Sequence, residues 1–189
     1  MSLIIQTSVP SYRLNVYKEI TQNLPNVNII SGKTYYSDTI KSDKNTPNVI
    51  WVKNVFLLKR KFLYQQLPWI KVFKSNSVII EFNLHNISFH LVILIRLLLN
   101  KKTHLWGHAW SRAGKNSKSE YLRLMYKKIC SGYIAYTQTQ RKELQKQIPD
   151  MEVYGANNSI YFKHDMVPIK KPKDKVTNFI YVGLSLIHI

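Results

Sequence analysis

Short runs rich in isoleucine and valine alternate along this chain with longer stretches in which apolar residues recur every three or four positions. Short apolar runs are typical of strands, and the longer period is typical of helices. The predicted strands are Leu3–Gln6, Val27–Ile30, Asn48–Val52, Ser77–Phe82, Lys102–Gly107, Tyr133–Thr137 and Glu152–Gly155, and the predicted helices are Arg13–Asn23, Lys59–Lys74, Ile87–Leu99, Ser119–Cys130 and Thr139–Gln147. This alternation predicts an α/β fold with a doubly wound, Rossmann-like parallel sheet.

Three of these helices carry further expectations. The segment Lys59–Lys74 has apolar residues at helical spacing, and Pro68 predicts a kink or an early stop within it. The apolar run Ile87–Leu99 is too short for a membrane span, which needs about 20 residues, so we interpret it as a buried helix. A helix lying in a membrane surface is the alternative. The lysines and arginines of Ser119–Cys130 are expected to face away from the sheet.

Composition limits the class of protein. The 189 residues are 45% hydrophobic, which excludes a disordered chain and suffices for one core. The single cysteine, Cys130, cannot form an internal disulfide, and no basic segment of a secretory signal precedes the first strand, so we expect a cytoplasmic protein. The net charge of +18 predicts attraction to phosphate groups, whether of nucleic acid, nucleotide or anionic lipid.

The chain is predicted to divide near its end. Residues 1–161 form the expected first domain, and residues 162–177, rich in lysine and proline, read as an interdomain linker. Residues 178–189 contain one strand that would begin a second, truncated domain.

Candidate site residues follow the predicted strands, because ligands of doubly wound sheets bind beyond the carboxyl ends of the strands. Gly107 and His108 either let a ligand approach the backbone and meet an imidazole together or have a purely structural role. Arg13 is either a phosphate-pairing group at a helix start or a solvated surface residue. Glu81, an acid within a buried strand, is either a hydrogen-bonded structural carboxylate or a functional group.

Several familiar sites are disfavoured. Neither G-x-G-x-x-G after the first strand nor a P-loop motif is present, and the histidines lack the acidic or cysteine neighbours of a metal site, so we expect no metal. Aromatic residues interleaved with lysine and arginine around residues 106–136 are compatible with RNA stacking, but core packing explains most of them.

Five short motifs occur in an order that resembles the N-terminal, acceptor-side domain of family 4 (group 1) glycosyltransferases. They are Pro10-Ser11-Tyr12-Arg13, Trp106-Gly107-His108, Ala135-Tyr136-Thr137, Ala156-Asn157-Asn158-Ser159-Ile160 and Phe179-Ile180-Tyr181-Val182-Gly183. The resemblance extends over residues 2–183 and implies the N-terminal half of a GT-B architecture. It also implies sugar transfer, with retention of configuration, from a nucleotide-sugar donor to a polysaccharide or lipid-linked acceptor, without metal or other cofactor.

The same resemblance implies roles for individual residues. His108 matches the histidine near the reacting sugar, and Gly183 lies on the donor side. The residues implied to line the acceptor side of the cleft are Tyr12, Arg13, Gly107, Arg112 and Asn158. We expect peripheral contact with the inner face of an anionic membrane and no specific nucleic acid.

Two observations qualify the expected activity. Residues 184–189 depart from the family's pattern, and the donor-binding residues expected after Gly183 are missing, so the chain alone is predicted to be inactive. The alternatives are a nucleic-acid-binding basic α/β domain and an inactive fragment.

Overall fold

A parallel sheet of seven strands is the centre of the computed structural model, which describes residues 1–111 and 113–157. The described residues form nine strands, seven in this sheet and two outside it: β1 (Ser2–Ser8), β2 (Val27–Gly32), β3 (Val49–Val52), β4 (Asn54–Leu57), β5 (Phe62–Gln65), β6 (Ser77–Glu81), β7 (Lys102–Gly107), β8 (Gly132–Ala135) and β9 (Glu152–Gly155). The order across the sheet is β3-β2-β1-β6-β7-β8-β9, while β4 and β5 form a separate antiparallel hairpin. The strand order reverses between β1 and β6, which is the topological switch point of a doubly wound fold.

Helices cover both faces of this sheet. They are α1 (Leu14–Asn23), preceded by a 3-10 turn (Ser11–Arg13), then α2 (Trp69–Lys74), α3 (Ile87–Leu98), α4 (Lys118–Ile129) and α5 (Gln138–Gln147). Side chains of α1 pack with one face of the sheet, and side chains of α2 to α5 pack with the other. The predicted doubly wound, Rossmann-like α/β fold is therefore confirmed.

The core follows the alternation of strand side chains. In β1, Leu3 and Ile5 belong to the apolar cluster beneath α2 to α5, whereas Ile4 belongs to the cluster beneath α1. All three are almost completely buried. Strands covered on both faces are expected to read as continuous apolar runs, and this is why β1 was recognisable in the sequence.

Local signals explain where two of the helices begin. The Asn86 side chain accepts a hydrogen bond of 3.0 Å from the backbone nitrogen of Ser88 at the start of α3. The Thr137 side chain accepts one of 3.1 Å from the nitrogen of Gln140 at the start of α5. Each bond satisfies a backbone donor that has no partner within the helix.

The predicted helix Lys59–Lys74 is wrong. Its first part is the turn and second strand of the β4–β5 hairpin, and only the last six residues form a helix, α2. Pro68 stands at the start of α2, not at a kink or a stop. The physical reason is burial at period two, because Leu63 and Gln65 point inward from β5 and the Gln65 side chain is held by buried polar partners.

The predicted burial of the segment Ile87–Leu99 is only partly correct. One side of α3 packs on the sheet, but Leu94 and Leu98 are 54% and 78% exposed on the other. In the part of the chain that the structure describes, no helix is long and apolar enough to cross a membrane. The predicted linker at 162–177 and the strand within 178–189 lie outside the described residues.

Candidate functional site

A cleft of about 690 Å³ opens at the carboxyl ends of the parallel strands. The ends of β1 and β6 form its floor, so it lies at the switch point of the sheet, where doubly wound folds bind ligands. Its volume is in the range of small-molecule sites. The basic and aromatic side chains that line it are Tyr12, Arg13, Tyr35, Tyr36, Arg60, Lys61, Phe82, His85, His108, Trp110, Arg123 and Tyr136.

His108 is exposed on the wall of this cleft, directly after β7. Its ring meets the ring of Tyr136, which follows β8, edge-on, with 4.8 Å between the centroids and 73° between the planes. An imidazole that is both accessible and oriented by a neighbouring ring can donate a hydrogen bond to a bound ligand or accept one from it.

The backbone that carries His108 is held from within the fold. Its carbonyl oxygen accepts hydrogen bonds of 2.6 Å from the Nη2 of Arg123 and of 2.6 Å from the hydroxyl of Tyr133. The next carbonyl, of Ala109, accepts one of 2.6 Å from the Nζ of Lys127. Three buried donors therefore hold this loop in place.

A buried carboxylate completes the anchoring of the loop. Glu120 accepts a hydrogen bond of 2.5 Å from the backbone nitrogen of Ser111 and forms ion pairs of 3.1 Å with Arg123 and 3.5 Å with Lys127. Burial lowers the pKa of Lys127 to about 8, and Glu120 offsets only part of this effect. The expectation that the basic residues of this helix face away from the sheet is wrong for Arg123 and Lys127, because they bind backbone carbonyls of the loop.

Arg13 is buried at the cleft, not solvated on an open surface. Its guanidinium carbon lies 4.7 Å from the ring centroid of Tyr136 and 5.9 Å from that of Trp106. Burial alone would lower the pKa of Arg13, but the hydroxyls of Tyr136 and Tyr17 outweigh it and the net shift is upward. The cleft therefore contains a permanent positive charge set against aromatic rings.

Gly107 and Tyr12 complete the predicted residues at this site. Tyr12 is 43% exposed at the rim, and Arg13 lies 5.8 Å from its ring centroid. A Cβ at Gly107 would lie 3.3 Å from the Cβ of Phe82, so this glycine permits close packing of β7 against the chain after β6. The structure brings Tyr12, Arg13, Gly107 and His108 together. Arg112, Asn158 and Gly183 lie outside the described residues.

Glu81 connects the two strands at the switch point. Its Oε2 accepts a hydrogen bond of 2.7 Å from the backbone nitrogen of Thr7 on β1. This is the partner that an acid in a buried strand requires. Glu81 also lines the cleft, and it is the one acidic residue among the described lining residues.

Three cationic residues of the cleft, Arg60, Lys61 and Arg123, were not among the predicted site residues. Arg60 and Lys61 reach the cleft from the turn of the β4–β5 hairpin, which the sequence analysis assigned to a helix. Arg60 pairs with Asp38 and donates a hydrogen bond of 3.0 Å to the carbonyl of Tyr35, so it ties the hairpin to the long loop after β2. The polar run Lys59-Arg60-Lys61 between apolar residues was the available signal for a turn.

Comparisons with known proteins leave the family open. No protein-family model matches the chain, and no curated protein does. Among solved structures, UDP-GlcNAc 2-epimerase from Methanocaldococcus jannaschii aligns with a TM-score of 0.48 and 14% identity over 82% of this chain. The alignment covers 44% of that enzyme, so this chain spans less than half of its length. The strand order β3-β2-β1-β6-β7-β8-β9 by itself identifies the doubly wound α/β fold.

Proposed function

We propose that the cleft binds a sugar-bearing substrate and that this chain is the acceptor-side part of a retaining glycosyltransferase of GT-B architecture. The observation that carries the proposal is the position of His108, which is exposed in the cleft beside Tyr136 while its backbone is held from the core. The motifs that resemble family 4 glycosyltransferases supply the reaction class, and the cleft supplies a place for it.

The side chains of the cleft suit the chemistry of sugar transfer. Aromatic rings such as Tyr12 and Tyr136 offer flat apolar faces, and His108 offers a hydrogen-bonding group for a sugar hydroxyl. Transfer of a glycosyl group develops positive charge on the sugar ring. A carboxylate at the switch point, Glu81, would stabilise that charge, and Arg13 would attract the negative charge of a phosphate-bearing partner.

The donor in this proposal is a nucleotide sugar, which serves as a substrate and not as a resident cofactor, and the acceptor is a glycan or a lipid-linked sugar. Positioning of two substrates against each other supplies much of the rate of such reactions. In the proposed arrangement, the residues of this chain orient the acceptor, and a second domain holds most of the donor.

Binding measurements on the 189-residue chain test this proposal. We expect calorimetric titration with a panel of nucleotide sugars and of glycan acceptors to show at least one ligand whose affinity falls about tenfold or more in His108→Ala. The matched control is His104→Ala, because His104 lies on the same strand, β7, and does not line the cleft. Equal effects of the two changes, or binding of oligonucleotides in preference to every sugar ligand, would contradict the proposal.

A further inference from the structure

The exposed residues of α3 are all leucines. Leu91, Leu94, Leu97 and Leu98 are between 36% and 78% exposed, and they lie at helical spacing along one side. The one charged residue of this helix, Arg96, is completely buried, and it donates hydrogen bonds to backbone carbonyls. A helix packed on a sheet in water normally carries charged or polar residues on its outer side.

The neighbouring helix, α4, is amphipathic in the inverted sense. Three of its five charged residues, Glu120, Arg123 and Lys127, face the protein. Its outer side carries Tyr121, which is 85% exposed, together with the exposed apolar residues Leu122, Met125 and Ile129. These four apolar residues of α4 are thus in contact with solvent, because the inner side of the helix is occupied in part by charged residues that hold the loop after β7.

The two outer sides belong to one surface. Helices α3 and α4 pack on the same face of the sheet and contact each other where Tyr126 meets His90 and Phe89, with ring centroids 5.3 Å and 5.1 Å apart. Ile70 of α2, 71% exposed, extends the same side. We call the outer residues of α2, α3 and α4 the outer helical surface: Ile70, Leu91, Leu94, Leu97, Leu98, Tyr121, Leu122, Met125 and Ile129.

Helix α5 shows that this exposure is not general. It packs on the same face of the sheet as α3 and α4, and the residues it exposes are polar or charged, such as Thr139, Lys142 and Lys146. No large apolar residue of α5 is exposed. The outer helical surface is therefore a distinct patch. Extended apolar patches on soluble folds usually contact a protein or a membrane.

The charges around the patch identify the kind of partner. Lys71 and Lys74 of α2 and Lys118 and Lys128 of α4 are exposed beside it. The one acidic residue of these three helices, Glu120, is buried. A partner for this patch must therefore present negative charge above an apolar layer. A second copy of this chain carries the same net charge of +18 and would be repelled, and a nucleic acid would leave the leucines in water.

We propose that the outer helical surface docks onto an anionic lipid bilayer, with the leucines of α3 and the apolar residues of α4 inserted at the level of the headgroups and the lysines bound to lipid phosphates. Amphipathic helices bind membranes in this way, through buried apolar area together with electrostatic attraction. Each cationic residue near an anionic surface contributes to the attraction within a Debye length. The proposal stands on this surface alone and does not depend on the sugar-transferring role.

Vesicle co-sedimentation of the 189-residue chain tests the proposal. We expect binding to vesicles of equal parts phosphatidylglycerol and phosphatidylcholine, and binding to phosphatidylcholine alone that is at least about tenfold weaker. A fraction of the binding should persist at about 0.5 M salt, where the Debye length is only a few ångströms, because apolar insertion is not screened. This readout involves no sugar ligand.

Two pairs of variants separate the apolar and the charged contributions. The double change Leu94→Gln and Leu98→Gln should weaken binding about tenfold or more and abolish the salt-resistant fraction. Its control is Leu24→Gln, because Leu24 is 55% exposed at the end of α1, on the other face of the sheet. The double change Lys118→Gln and Lys128→Gln should weaken binding at low salt, whereas Lys142→Gln with Lys146→Gln on α5 should leave it unchanged.

Unfolding midpoints establish whether the variants keep the fold, which we expect since every changed residue is exposed. Binding that disappears completely at the higher salt, or that the leucine changes leave intact, would overturn the apolar contact. Binding to phosphatidylcholine vesicles as strong as binding to the anionic vesicles would overturn the contact between lysines and lipid phosphates. If vesicles are not bound and the leucine changes instead abolish a dimer in sedimentation equilibrium, the occupant is a second copy and the proposal is wrong.

Discussion

The hydroxyl of Tyr133 lies 2.6 Å from the backbone carbonyl oxygen of His108, to which it donates a hydrogen bond. Tyr133 is completely buried on β8, and His108 is exposed at the end of β7. Burial raises the pKa of Tyr133, so its hydroxyl keeps its proton and remains a donor. The relationship connects the core of the sheet to the wall of the cleft.

Removal of this hydroxyl should loosen the loop without emptying the core. We expect Tyr133→Phe to lower the free energy of unfolding by about 1 kcal/mol, since the carbonyl keeps the hydrogen bond from Arg123. Urea denaturation measures this change, and hydrogen exchange at the amides of residues 108–111 should become faster. Faster exchange only at the amides of β8, the strand that carries Tyr133, would show that the hydroxyl does not hold the loop after β7.

Neutralising Glu120 should be costly, because it is the buried carboxylate that pairs with two buried cations. The change Glu120→Gln leaves Arg123 and Lys127 buried without their carboxylate, and breaking a buried ion pair destabilises a protein by about 3 kcal/mol or more. The measurement is urea denaturation. The control is Glu143→Gln, because the pair of Glu143 with Lys115 is exposed and should contribute little. Similar losses in both variants would contradict a special role for the buried cluster.

The lowered pKa of Lys127 predicts a dependence of stability on pH. This pKa is about 8 in the folded chain, against 10.5 for an ordinary lysine. Between these pH values the unfolded chain binds more protons at this position than the folded chain does. The contribution of Lys127 to the free energy of unfolding therefore rises with pH across this window and is least favourable below it.

Comparison of the parent chain with Lys127→Met isolates this contribution, because other titrating groups are common to both. The difference in free energy of unfolding should move in favour of the parent chain as the pH is raised from about 8 toward 10.5. Lys128→Met is the control, since Lys128 is exposed on the same helix. A difference that stays constant over this range would contradict the lowered pKa.

Gly32 and Asn54 should be coupled energetically. A Cβ at Gly32 would lie 2.1 Å from the Nδ2 of Asn54, which donates hydrogen bonds of 2.9 Å to the carbonyl of Thr7 and 2.7 Å to that of Thr34. Gly32→Ala must displace this side chain and should cost about 2 kcal/mol. In an Asn54→Ala background the same change should cost at least about 1 kcal/mol less. Strictly additive losses in a double-mutant cycle would contradict this contact.

Much of the sheet was predictable because its information is local. Strands β7 and β9 have the predicted bounds, and the helices α1, α3, α4 and α5 begin and end within two residues of the prediction. The rule that ligands bind beyond strand ends also selected Tyr12, Arg13, Gly107 and His108, which share one cleft. These residues follow strands whose apolar runs are visible without any knowledge of their neighbours.

The β4–β5 hairpin was not predictable in this way. Its apolar residues have helical spacing, and the residue that decides its structure is polar. Gln65 is buried because its side chain bonds to its cross-strand partner Asn54 and also to the carbonyl of Gln6 and to Asn86, which lie outside the hairpin. Only the assembled fold supplies such partners, so Arg60 and Lys61, which the hairpin carries to the cleft, could not be placed beforehand.

The sequence by itself determined the order along the chain of the seven parallel strands and of the helices α1, α3, α4 and α5, together with the apolar faces of the sheet and the large positive charge, since these follow from residue type and spacing. The direction in which α4 presents its charges was decided by the tertiary structure. Arg123 and Lys127 turn inward because the carbonyls of His108 and Ala109 lie within their reach, and the apolar side of the helix is exposed as a result. Spacing along one helix cannot encode that choice, because it depends on unpaired acceptors in a loop formed by another element.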